Sequence, residues 1–61
     1  MNIIVGKVYK KEDSIICVAK DDRKTFEDIK LLEQCTPNIN DRVACLIDES
    51  NNIRIAIGIM R

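Results

Sequence analysis

The residues of this chain that could do covalent chemistry are three cysteines, Cys17, Cys35 and Cys45. A thiol nucleophile needs a base to take its proton, and the chain contains no histidine. A structural metal site needs closely spaced ligands such as C-x-x-C, and no two of these cysteines stand that near. Cys17 and Cys45 sit inside the apolar runs 15–19 and 43–47, so they read as small buried hydrophobes.

Eight of the ten carboxylates come in four adjacent pairs: Glu12/Asp13, Asp21/Asp22, Glu27/Asp28 and Asp48/Glu49. Acid–base catalysis would need one of them desolvated, with a displaced pKa. Three pairs fall in predicted turns and the fourth on a segment of open type, so all read as solvated surface. Asp21-Asp22 and Asp48-Glu49-Ser50 lack the spacing of a calcium loop. Gly6 and Gly58 are the only glycines, which excludes a phosphate-cradling loop. The expectation is a non-enzyme with no catalytic residue, no metal and no cofactor.

The elements that would carry a function are strands. Ile53, Ile55, Ile57 and Ile59 recur at two-residue spacing, the period of a half-buried strand, which predicts one inward aliphatic face. Met1–Tyr9 reads as a first strand, with Ile3 and Val5 on one face and Ile4, Gly6 and Val8 on the other. Gly6 in mid-strand suggests a bend or a close backbone approach. Residues 10–13 suit a hairpin turn, 14–20 a central strand apolar on both faces, and 21–24 a second charged turn. The segment 25–35 is read as a strand, with a short helix near residues 26–35 as the alternative, since Thr25–Asp28 also fits a capping box. Pro37 ends whichever forms. Asn40 tolerates a left-handed conformation and suits a tight entry turn into the strand 42–48. Five short strands at roughly ten-residue spacing predict an all-β, five-stranded small barrel, of OB-like or Src-homology-3-like type.

The 61 residues make one domain, 1–61, too small to bury much of its surface. Eleven isoleucines against one Phe and one Tyr imply an aliphatic core. So little chain to cover both faces of a sheet favours self-association into a homo-oligomer. Ten basic and ten acidic residues cancel and are interspersed, which argues against a nucleic-acid or membrane partner. A small basic patch of Lys7, Lys10 and Lys11 leaves weak nucleic-acid binding as a third reading. No stretch has the length and apolarity of a membrane span, and the N-terminus lacks the basic region and cleavage site of a signal peptide. The location expected is therefore the host cytoplasm or a virion, without secretion.

The run Val5-Gly6-Lys7-Val8, the entry Asn40-Asp41-Arg42-Val43 and the closing Ile57-Gly58 together resemble the OB-like barrels of phage tail baseplates, of the hub and central-spike type. Asn40 stands where such entries carry Gly, and there is no β-helical spike or histidine tip. The resemblance implies a hub-associated or accessory barrel that binds tail proteins and its own copies, not the piercing spike. The alternative is a small phage-encoded inhibitor that docks on a host protein. Both readings place the protein interface on edge and turn residues: Lys7, Tyr9, Lys11, Arg54 and Met60.

Overall fold

The computed structural model describes residues 1–60 and contains five strands: β1 (Asn2–Glu12), β2 (Ile15–Ala19), β3 (Thr25–Leu31), β4 (Arg42–Asp48) and β5 (Ile53–Met60). They close into a barrel in the order β1-β2-β3-β5-β4. The long β1 makes this possible, since Asn2–Lys7 pair with β4 while Lys7–Glu12 pair with β2. All junctions are antiparallel except a short parallel contact between β3 and β5. In this order β1 is shared between β2 and β4, and β5 is set between β3 and β4, so the sheet closes as a small five-stranded barrel.

Local chemistry sets each turn. Asp13, with φ of 44°, and Ser14 make a two-residue hairpin, so β1 runs on to Glu12 where a four-residue turn was expected. In the 21–24 turn, the Arg23 amide donates to the Lys20 carbonyl at 2.9 Å and the Lys24 amide to Asp22 Oδ1 at 3.0 Å. Asn40 is left-handed with φ of 78°, as its residue type suggested, and its amide donates to the Val8 carbonyl at 2.8 Å. The segment 25–31 is a strand. Asp28, with φ of 54°, is incompatible with a right-handed helix. The chain's only described helical piece is the single 3-10 turn Glu49–Asn51.

The core is aliphatic: Val8, Ile16, Val18, Ile29, Val43 and Cys45 are fully enclosed, with Phe26 at its margin. Cys35 and Pro37, in the connection between β3 and β4, are also buried. Gly6 points inward where β1 crosses β2. A Cβ there would lie 2.4 Å from Val18 Cγ1 and 2.8 Å from the Ala19 carbonyl oxygen. The close approach read from its mid-strand position is real.

One expectation is corrected. The isoleucines of β5 do not share an inward face. Directly opposed residues point to the same side of a sheet, and the buried Cys45 stands opposite Ala56, so Ala56 takes the core position. Leu46 stands opposite Ile55 and Asp48 opposite Ile53, which turns both isoleucines outward. The register then slips at Ile57, an extra residue between the Ala56 and Gly58 pairings, and the slip returns Ile59 to the core beside Val43. A bulge of this kind reverses the facing of everything beyond it.

Candidate protein-binding surface

Turning the isoleucines outward builds an apolar face on β1, β4 and β5. Ile3 stands opposite Leu46, and Leu46 opposite Ile55, so three large aliphatic side chains cross three strands in one row. Ile3 is 59% exposed, while Leu46 and Ile55 are half-buried by one another. The neighbouring row is Val5, Ala44 and Gly58, and the next is Lys7, Arg42 and Met60. Ile57, displaced by the bulge, is exposed beside Gly58. Soluble monomers rarely leave contiguous aliphatic surface of this kind open to water.

A second feature lies on β1, β2 and β3. Tyr9 is an extra residue in β1, and Glu27 and Asp28 together oppose Cys17 across the other edge of β2. The two bulges flank Cys17 and shape a depression of about 290 Å³ lined by Tyr9, Lys10, Glu12, Ile15, Cys17, Glu27 and Asp28. Partial desolvation, then the nearby Cys17 and Glu27, raise the Tyr9 phenol above its ordinary pKa. Tyr9 is the one exposed aromatic among the described residues, since Phe26 is in the core with Lys24 Nζ 5.3 Å from its ring centre. Three carboxylates, Glu12, Glu27 and Asp28, and one cation, Lys10, share the lining with the Tyr9 ring.

The five residues predicted from sequence separate. Lys7 and Met60 share the row that borders the aliphatic face, one on each side of Arg42. Tyr9 belongs to the depression on the other side of the barrel, and Lys11 is exposed near the β1–β2 hairpin. Arg54 is engaged internally: its guanidinium donates to the Glu27 carbonyl at 3.0 Å and meets Glu49 at 3.1 Å. That fork ties the start of β5 to β3 and to the 3-10 turn. Sequence reasoning passed over Ile3, Leu46 and Ile55. The cue was present, because strands apolar on both faces carry more aliphatic surface than one interior can take.

No cluster of three or more histidine, cysteine or acidic side chains is placed to hold a metal among the described residues. Burial pushes the Cys45 thiol up to about 11, with Cys35 adding to the effect, and burial likewise raises Cys35. Both remain protonated at neutral pH and are poor nucleophiles. No described helix is long and apolar enough to cross a membrane. The chain matches no family model, no curated protein and no solved structure.

Proposed function

We propose that the chain is a non-enzymatic assembly barrel that binds protein through the outer face of β1, β4 and β5, as an accessory component of a phage tail or baseplate. The row Ile3–Leu46–Ile55 carries the protein-binding part of this reading. It joins three strands, has no covering element among the described residues and, beyond the small row of Val5, Ala44 and Gly58, gives way to the polar row of Lys7 and Arg42, the arrangement of an apolar centre with a charged rim. The tail setting is supported by the closed five-stranded barrel together with the resemblance at Val5–Val8, Asn40–Val43 and Ile57–Gly58.

The test is co-sedimentation. A tagged chain expressed in its host while particles assemble travels with tail-sized assemblies, and Leu46→Ser, which removes the middle of the row, releases it. A chain that sediments alone refutes the tail setting. One that co-purifies instead with a single host enzyme, in a Leu46-dependent way, establishes the inhibitor alternative.

A further inference from the structure

We infer that the outer β1–β4–β5 face is covered by a second copy of this chain, docked about a two-fold axis with the ridge of each copy seated in the notch of the other. The inference deepens the protein-binding reading and rests on it. Successive outward rows lie two residues apart along β1 and β4, about 6.6 Å, and the Ile57 bulge adds a third residue between the first two rows on β5. The first row, Ile3, Leu46 and Ile55, is a ridge of large aliphatic side chains. The second, Val5, Ala44 and Gly58, shrinks from one side to the other until no side chain remains. A ridge beside a notch one row away is self-complementary: a two-fold rotation lays the first row of each copy on the second row of the other.

Gly58 is an independent observation. Its φ is not positive, and a Cβ built on it meets nothing within 4 Å. Neither backbone conformation nor the chain's own packing asks for glycine here, in contrast to Gly6. Gly58 adjoins the Ile57 bulge, and having no side chain it leaves that end of the second row open to a close approach by another surface. The same rotation carries Lys7 and Arg42 of one copy toward the Asp48 end of the face in the other, where the exposed Glu49 would be shared with its own Arg54. Lys7 has no ion pair among the described residues, and Arg42 reaches Asp21 only at 3.9 Å.

Size fits as well. A stable specific dimer buries about 800 Å² per partner, roughly a fifth of the 4425 Å² this molecule exposes. A molecule measuring 28 × 27 × 20 Å offers that on one broad side, with the aliphatic rows at the centre and the charged rows at the rim.

Sedimentation equilibrium across chain concentrations from about 1 μM to about 1 mM tests the dimer. The wild-type chain passes from monomer to dimer. Gly58→Leu fills the notch, its Cβ entering open space, so it raises the dissociation constant by about tenfold or more while the circular-dichroism melt of the monomer is kept. Leu46→Ser removes the ridge and has the same effect. A wild-type chain still monomeric at about 1 mM, or a Gly58→Leu chain that dimerises as tightly as wild type, overturns the inference. Co-sedimentation reads any protein partner, so a strict monomer that still travels with particles defeats the dimer and leaves the protein-binding reading intact. A dimer that joins no particle upholds the inference and defeats the tail setting.

Discussion

Gly6→Ala is the most direct test of how β1 crosses β2. The added methyl would sit 2.4 Å from Val18 Cγ1, 2.8 Å from the Ala19 carbonyl oxygen and 3.1 Å from its carbon. Val18 is fully enclosed, so its side chain has no solvent-side rotamer to retreat into. The carbonyl belongs to Ala19, which stands opposite Lys7 in the β1–β2 ladder, and moving it disturbs that pairing. Overpacking of this kind costs about 1–3 kcal/mol. The unfolded chain loses freedom when Gly becomes Ala, which returns about 0.4–1 kcal/mol. With backbone among the obstructing atoms the upper part of the range applies, and the net loss is about 2 kcal/mol. At 4–8 °C per kcal/mol for a domain this small, the melting temperature falls by about 8–16 °C. Thermal and urea denaturation followed by far-ultraviolet circular dichroism measure it, with Gly58→Ala at low micromolar concentration as the control. Gly58→Ala has open space and should melt at or slightly above the wild-type temperature. If Gly6→Ala melts together with wild type, β1 does not pass β2 this closely and the account of the crossing is wrong.

Asp48 gives a pH test. Its two carboxylate oxygens accept from Asn51 Nδ2 and Ser50 Oγ, both at 2.8 Å, and these bonds hold its pKa below the ordinary value of 3.8. The ionised form is favoured by folding, so the contribution is complete above the unfolded-state value and is lost as pH falls through the folded-state value. Urea midpoints should decline with acid below about pH 4 in the wild type and decline less steeply in Asp48→Asn; equal slopes would reject the linkage. Arg54→Lys loses the fork onto the Glu27 carbonyl and Glu49 and should destabilise by about 1 kcal/mol in the same assay. A full rescue by Lys would mean that the planar geometry is irrelevant. Thiol labelling should modify the half-buried Cys17 first, with Cys35 and Cys45 reacting only on unfolding; three equal rates would contradict the burial.

Much of the barrel is legible in the chain. Period-two runs, charged turns and Pro37 place five strands, and Gly6 and Asn40 announce a close crossing and a left-handed entry. What hydrophobic periodicity could not supply was phase. In β5 either the isoleucines or the residues between them could face inward, and the larger set is the natural choice. The structure chose Ala56, because a narrow barrel interior already filled by Val43, Ile29 and Ile16 has room for a small residue there. The bulges at Tyr9 and at Glu27-Asp28 leave no compositional mark, since no glycine accompanies them, so the depression around Cys17 was invisible beforehand. The candidate site was half legible. Lys7 and Met60 border the aliphatic face, whereas Arg54, expected at the interface, is committed to a carbonyl 27 positions away.

The meeting of β3 and β5 sets where this molecule comes apart. Only Lys30 with Ile55 and Leu31 with Ala56 are paired there, beside a long 3.4 Å bond from the Leu32 amide to the Ala56 carbonyl. Parallel pairing is also the weaker geometry per residue. Undoing that clasp leaves every antiparallel junction in place, and the cylinder unrolls into a curved ribbon ordered β3-β2-β1-β4-β5. The amides of the clasp should therefore exchange with deuterium ahead of the remaining ladder, through a single slit that bares Ile29 and Val18 to water without unfolding the chain.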